Sequence, residues 1–551
     1  MTRETIIAAY QSRGLVVAPE IPAQPTKARS PARGRRRTAA TAAEDAPNGA
    51  DVRDGGLPKP DAAPTAVDPG GNGAAPPAEP PAGGDGTDRG GYDVEVLNRE
   101  YALVKVGSQV AIFQENRSAR LPEQQLRMLS LEAFKAWLRN KRTEVQRGKY
   151  ITWANRWLDD PRRRQYEGVE FFPDPDNKPG NSAYLNLWRG FSVMPAPAPD
   201  LKRYKTFRDH VFNNVADGDQ ALFDWIWAFF AHMVQRPRER IGVALVLRGK
   251  MGTGKTKVGE VIGSLFPAHW FLVDSPRYVT GQFNAHMSHC LLLQADEATW
   301  GGNKEVLGRL KGLITSTQQF IEAKGIDPVA LANYVRLILT SNEDWVVPAG
   351  PDERRFAVFN VSDRCAQNHD YFREMDEELA AGGLAHLLAD LLRFDLSKVD
   401  LRRIPRTDAL LEQKIRSLDP IDSWWFDRLM AGAATRSGAE WSPQIPTSTL
   451  YGDYVATCEQ LGIRRKQPEN IFGSRLKVLA PSLDYTRPRM MVEVEHGVFK
   501  SDRVRCYVLP PLSEARAAFE KIVGQSVPWP KDNEEPPEGD SGPSGNDRVP
   551  L

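Results

Sequence analysis

Val243-Ala-Leu-Val-Leu247-Arg-Gly249-Lys-Met-Gly252-Thr253-Gly254-Lys255-Thr256-Lys-Val258 is the stretch whose reading decides the fold. The apolar run Val243–Leu247 reads as a strand buried on both faces. Val258, Val261, Ile262 and Leu265 recur at i, i+3, i+4 and i+7, which places them on one face of a helix. Between strand and helix stands a complete GxxxxGK[ST] pattern. The chemistry needs this order: glycines let backbone N–H groups close around phosphate oxygens, and the helix N-terminus adds positive potential. Lys255 should then reach the β- and γ-phosphates, and the Thr256 hydroxyl should join the shell of a Mg²⁺ ion. Gly249, Gly252, Thr253, Gly254, Lys255 and Thr256 are thus the expected loop for ATP with Mg²⁺.

Downstream apolar runs supply the rest of the expected site. Forty-one residues after Lys255, the strand-like Cys290–Leu293 leads into Gln-Ala-Asp296-Glu297. A carboxylate at a strand's C-terminal end can hold the Mg²⁺ hydration shell while its neighbour polarises the attacking water. Asp296 is therefore assigned to the metal and Glu297 to the water. A second buried run, Val335–Leu339, ends in Thr340-Ser341-Asn342, whose amide can orient the water and sense the γ-phosphate. Arg354 and Arg355 then precede the strand Ala357–Val361. Either arginine can stabilise transition-state charge on a nucleotide held by a neighbouring subunit. Short buried strands alternating with helices from Ile241 to about Asp363 make this region α/β.

These elements follow one another in a compact run whose order resembles that of the superfamily 3 helicases, ring-forming AAA+ motors of viruses, phages and plasmids. Flanking segments are similar to the helicase part of phage primase–helicase proteins. They include Asn186-Leu-Trp188-Arg-Gly190-Phe, Gln235-Arg-Pro237, Thr280-Gly-Gln-Phe283-Asn284, Leu310-Lys311-Gly-Leu-Ile-Thr315, Glu322-Ala-Lys324-Gly325 and Asp352-Glu-Arg-Arg355-Phe. The resemblance covers about 92 to 420. It implies a P-loop NTPase core of AAA+ type, an ATP- and Mg²⁺-dependent DNA helicase, and a homo-oligomeric ring, a hexamer, on single-stranded or forked DNA. It also implies a hairpin facing the ring's channel, with Lys324 as the main phosphate contact and Lys311 second. Such proteins often carry a primase domain ahead of the motor, but here that place is a tail, so a separate primase or polymerase partner is expected. Asp174-Pro-Asp176 has no strand pattern or histidine to support it as a metal site. His286-Met-Ser-His289-Cys290 enters the Asp296 strand and reads as packing. The alternatives are an origin-binding initiator that uses ATP as an assembly switch, which would not need Glu297, and a DNA-packaging ATPase.

Composition bounds the remainder. The chain has 551 residues with 72 Lys and Arg against 71 Asp and Glu, a net charge of +1 that excludes a uniformly basic nucleic-acid coat. Any polyanion site must be a local patch. Four widely spaced cysteines without a CxxC pair exclude a Cys-rich zinc module and fit a reducing compartment, here the cytoplasm of a bacterial host. No apolar run is long enough for a membrane span, and no membrane partner is expected. Residues 1–91 read as a tail: Ala, Pro and Gly supply 42 of the 74 residues from 18 to 91, and the basic run Lys27–Arg37 lies within it. Region 92–235 reads as a mixed α+β accessory part, with strands at Val94–Val96 and Ala102–Ile112 and helix from Pro122 to Asp159. The ATPase domain is expected over 236–415 and an acidic tail over 516–551. Between them, 420–515 runs helix, basic turn, helix and β-hairpin, the winged-helix order. From 464 to 505 ten Lys and Arg face five Asp and Glu. Arg465, Arg475, Lys477 and Arg487 are its candidate DNA contacts.

Overall fold

The computed structural model describes residues 91–116, 125–275, 278–279, 281, 284–296, 304–322, 328–495 and 498–530. Glu297, Lys324 and the basic run Lys27–Arg37 lie outside them.

The described chain begins with a helix, Val94–Glu100, where a strand is expected; Asp93 caps it by accepting from the Glu95 N–H at 3.0 Å. Strands β1 (Tyr101–Val106) and β2 (Gln109–Glu115) form a hairpin through Gly107, extended by β3 (Leu126–Leu129). In place of the expected long helix from Pro122 to Asp159, the described residues of that span form five elements, β3 being the first. After β3 comes α1 (Leu131–Trp137), then a hairpin of β4 (Arg142–Gln146) and β5 (Lys149–Thr152), then the helix Trp153–Asp159. The reason is local. Gly148 takes φ +77 at the turn, its N–H donates to Glu144 Oε1 at 2.6 Å, and Thr143, Val145, Tyr150 and Ile151 suit a pleated surface better than a helix. A short β6 (Gln165–Tyr166) pairs parallel with β1 and completes the order β3-β2-β1-β6.

Helix α2 (Gln220–Gln235) follows, started by Asp219, whose side chain accepts from the N–H groups of Ala221 and Leu222. Phe223 and Trp225 to Val234 are all buried on it. A helix apolar on every side belongs inside a core. It packs in one cluster with Ala102 and Val104 of β1, Leu245, Val258 and Leu391. The expected boundary at 235 therefore does not interrupt the packing, and the N-terminal part and the central region share a core.

The centre is a five-stranded parallel sheet of β7 (Ala244–Arg248), β8 (Trp270–Val273), β9 (Leu292–Asp296), β10 (Arg336–Ser341) and β11 (Phe356–Asn360), in the order β8-β9-β10-β7-β11. Strand alternation gives it two hydrophobic faces. Leu245, Leu247, Ala357 and Phe359 face the cluster with α2, while Ala244, Val246, Phe356 and Val358 face a second cluster. Helix α3 (Lys255–Gly263) follows β7. Helix α4 (Lys304–Thr315) precedes an antiparallel pair, Gln318–Ile321 with Val329–Ala332, whose connection holds Lys324. Beyond β11 come α5 (Leu384–Arg393) and α6 (Asp408–Arg416). The architecture is mixed α/β with a parallel sheet.

The C-terminal unit has its own core. Helix α7 (Pro420–Ala431), β12 (Gln444–Pro446), α8 (Thr447–Gln460), α9 (Glu469–Leu479) and β13 (Asp484–Thr486) lead into a hairpin of β14 (Arg489–Glu495) and β15 (Val498–Arg503). Strand β16 (Cys506–Val508) then pairs antiparallel with both β12 and β13. Thus β14 pairs with β15 as a hairpin of its own, and β16 belongs to the small sheet. The expected tail from 516 also needs correction. Helix α10 (Leu512–Val523) buries Ala515, Phe519 and Val523 against Phe426, Leu429 and Leu476 of that core.

Candidate nucleotide and strand-contact sites

Parallel strands that end at one edge of a sheet present their following loops together, which is where α/β proteins place ligands. Here β10 lies between β7 and β9, with Ser341 beside Arg248 and Thr340 beside Asp296. The glycine-rich loop after β7, the carboxylate ending β9 and the amide following β10 therefore meet. Gly254 caps α3 in a left-handed conformation, φ +83. A Cβ there would stand 2.7 Å from the rings of His210 and Phe372, so only glycine fits both the turn and the approach.

Lys255, 6% exposed, donates from Nζ to the carbonyls of Gly249 at 2.8 Å and Lys250 at 2.6 Å, and to Asn342 Oδ1 at 2.9 Å. Thr256 donates to Asp296 Oδ2 at 2.9 Å, and the Thr340 hydroxyl donates to the other carboxylate oxygen. Lys255 thus bonds Asn342 and the adjacent Thr256 bonds Asp296, which brings together three segments far apart in the chain. An ammonium at a glycine-rich helix start, beside a hydroxyl and a carboxylate, is the donor set that a nucleotide triphosphate and Mg²⁺ require.

Two supporting residues carried no signal in the sequence reading. Gln294, fully buried on β9, donates to Thr256 O at 2.8 Å and accepts from Trp270 Nε1 at 3.1 Å, which ties the first turn of α3 to the sheet. His210 is buried against Gly254, and burial pushes its pKa down to about 4, so the ring is neutral near pH 7. Asn214 holds its Nδ1 at 3.1 Å and reaches Cys365 Sγ at 3.2 Å.

Arg354 and Arg355 lie at the other end of the sheet. Arg355 O accepts from Ala244 N at 2.7 Å, at the start of β7, whereas the glycine loop begins after Arg248. At about 3.3 Å per residue the strand separates them by roughly 15 Å. Buried Glu353 accepts from the N–H groups of Arg354 at 3.0 Å and Arg355 at 2.7 Å. Lys311, on α4, reaches the same carboxylate at 3.9 Å. Helix α6 fastens the segment after Asn342: Gln413 Oε1 accepts from Val346 N at 2.8 Å and Val347 N at 3.2 Å. Its neighbour Lys414 donates to Val523 O of α10 at 2.7 Å.

In the C-terminal unit Arg465 and Arg487 are exposed. Arg475 instead grips buried Asp422 of α7 in a bidentate pair, donating from Nε at 2.7 Å and from Nη2, and Lys477 donates to Leu483 O. In this structure both side chains are engaged within the unit. Asp174 accepts from Arg238 at 2.9 Å and from the N–H groups of Asp176 and Lys178, so the Asp-Pro-Asp loop is internally satisfied. Among the described residues no helix is long and apolar enough to cross a membrane.

Comparison with known proteins adds three findings. Residues 247–355 match the model of a family of unknown function (DUF5906). Over 259 residues the chain is 27% identical to the DNA primase-polymerase of Nitratiruptor phage NrS-1. Apo structures of the NrS-1 C-terminal region resemble it in fold: one of residues 305–718 has a TM-score of 0.52, and an A form has 0.50. Both are 17% identical and cover 76% of this chain and 98% of theirs. The sequence match takes in 44% of this chain but 35% of the phage protein, so it spans about a third of that relative's length.

Proposed function

We propose that this chain is the motor of a phage DNA-replication machine: an ATP-dependent, Mg²⁺-requiring helicase of superfamily 3 type that encircles single-stranded DNA as a ring. The observation that carries this reading is the pairing of Lys255 with Asn342 and of Thr256 with Asp296 at one edge of a parallel sheet. The likeness to a phage primase-polymerase and to the NrS-1 C-terminal region supports the replication setting. The strand order, with the phosphate-loop strand between β10 and β11, supports a P-loop NTPase core of AAA+ type. The order helix, strand, helix, helix, strand, hairpin, strand supports a winged helix in the C-terminal unit.

In this reading Gly249, Gly252, Thr253, Gly254 and Lys255 hold the triphosphate, and Thr256 and Asp296 hold the metal. Mg²⁺, when bound, would offset phosphate charge and polarise the phosphoryl group to be transferred. Glu297 takes the proton of the attacking water, and Asn342 orients that water and registers the γ-phosphate. Arg354 and Arg355 stand too far along β7 to serve their own loop, which supports action on the neighbouring subunit's nucleotide, with a hexamer as the working ring. Lys324 and Lys311 carry the strand's phosphates, and Arg465 and Arg487 extend the contact. No strand synthesis is assigned to this chain, and a separate primase or polymerase is its proposed partner.

The test is ATP-driven separation of a forked duplex by the purified protein beside Lys255→Ala. Unwinding by the wild type and none by the variant is expected; ATP hydrolysis without unwinding would overturn the helicase reading. Mixing Lys255→Ala with an inactive Arg354→Ala/Arg355→Ala variant should restore part of the ATP turnover. No recovery would refute the shared site.

A further inference from the structure

The hairpin β4–β5 and the neighbouring end of α1 form a surface that the nucleotide site does not use. From 127 to 149 seven Lys and Arg stand against Glu132 and Glu144, in a chain whose net charge is only +1. All nine side chains are exposed. Among the described residues Arg139, Arg142, Arg147 and Lys149 form no ion pair. Glu144 is engaged in the turn, accepting from Gly148 N–H, which leaves the hairpin tip to its cations.

Two aromatic rings are exposed among these charges: Trp137, 69% exposed, at the end of α1, and Tyr150, 57% exposed, on β5. In the hairpin register Tyr150 stands opposite Glu144, and Arg142 opposite Thr152, so Arg142 and Tyr150 share one face. Thr143 and Ile151 pair on the other, half-buried face. A water-exposed aromatic ring gains by covering a flat apolar partner. Cations interleaved with exposed rings match a polyanion whose bases are unstacked, which is single-stranded nucleic acid. A duplex would neutralise the cations but keep its bases from the rings.

We propose that the hairpin Arg142–Thr152 is a second single-stranded DNA contact, with Arg142, Arg147 and Lys149 on phosphates and Tyr150 stacked on a base. This rests on the DNA-handling part of the reading above and is independent of ATP turnover.

The experiment titrates a fluorescein-labelled oligothymidylate with the full chain, without nucleotide, at several salt concentrations. Single strands give a slope of about 0.7 per neutralised phosphate in a log–log plot of affinity against salt. Arg142→Ala/Arg147→Ala/Lys149→Ala should therefore flatten that slope by about 2 and weaken binding near 0.1 M salt about 100-fold. Replacing the two arginines by lysine should restore the slope, and Tyr150→Ala should weaken binding roughly 5- to 100-fold with the slope unchanged. A triple variant with a wild-type thermal midpoint, affinity and slope would overturn the proposal, as would a loss confined to duplex DNA. A wild-type chain that hydrolyses ATP but binds no single strand refutes this surface and spares the nucleotide site. Binding that the triple variant loses, in a chain without ATP turnover, supports this surface and sinks the motor.

Discussion

Gln294→Met isolates the polar tie between the central sheet and the first turn of α3. Methionine nearly conserves the volume of glutamine, so the close approach of Gly259 to this side chain stays filled. The change removes an amide that donates to Thr256 O at 2.8 Å and accepts from Trp270 Nε1 at 3.1 Å. Gln294 is fully buried, so its former partners lose their hydrogen bonds at a place where water does not replace them. Each orphaned group costs about 1–3 kcal/mol, which predicts about 2–6 kcal/mol of destabilisation. The assay is denaturant unfolding followed by tryptophan fluorescence, repeated in a Trp270→Phe background. Trp270→Phe removes one orphan, so the double variant should cost about 1–3 kcal/mol less than the sum of the singles. Affinity for a fluorescent ATP analogue should fall in parallel, because Lys255 and Thr256 open the helix that Gln294 anchors. A Gln294→Met protein within about 0.5 kcal/mol of wild type, or an additive cycle, would refute this account.

The other expectations concern the C-terminal helix and acid. Phe519 is fully buried in the C-terminal core, so Phe519→Ala should destabilise that unit by about 3–5 kcal/mol, read by denaturant unfolding; a change within about 0.5 kcal/mol would mean that α10 is dispensable. His210 and His232 are held neutral by burial, with pKa values lowered to about 4 and about 3, and burial holds His269 well below its ordinary value. The unfolded chain binds these protons near pH 6.5 and the folded one does not. Their contribution is therefore complete above about pH 6.5 and is lost as the pH falls, by about 2 kcal/mol each for His210 and His232 at pH 5. Unfolding midpoints measured from pH 7.5 to 5 should show this slope, and His210→Gln should reduce it by about one proton.

What was legible in the sequence is what lies close together along the chain. Strand, glycine loop and helix around Gly249–Thr256 occupy adjacent positions, so pattern alone located them. Asp296 and Asn342 were legible for a related reason, since each ends an apolar run. Gln294 and His210 were not. A single polar residue inside a strand or helix looks like a tolerated exception until its partners are known, and those partners sit 38 and 44 residues away. The hairpin Arg142–Thr152 was missed because charged and apolar residues alternate there at spacings that fit a helix nearly as well, and Gly148 was the signal to weigh. Helix α10 was hidden by the Pro-rich acidic residues that follow it, although Ala515, Phe519 and Val523 keep a strict four-residue spacing. Arg475 shows a different limit: its charge was readable, but the buried Asp422 that claims it lies 53 residues earlier.

The bond from Lys414 to Val523 changes how the C-terminal unit must be regarded mechanically. Were α6 a slack tether, each part could shift without the other noticing. Instead, adjacent residues of one helix turn clasp the segment after Asn342 on one side and the last helix of the C-terminal core on the other. Such a strut resists bending and has little slack. A shift of the Asn342 segment must either drag the C-terminal core with it or break a buried ammonium–carbonyl bond.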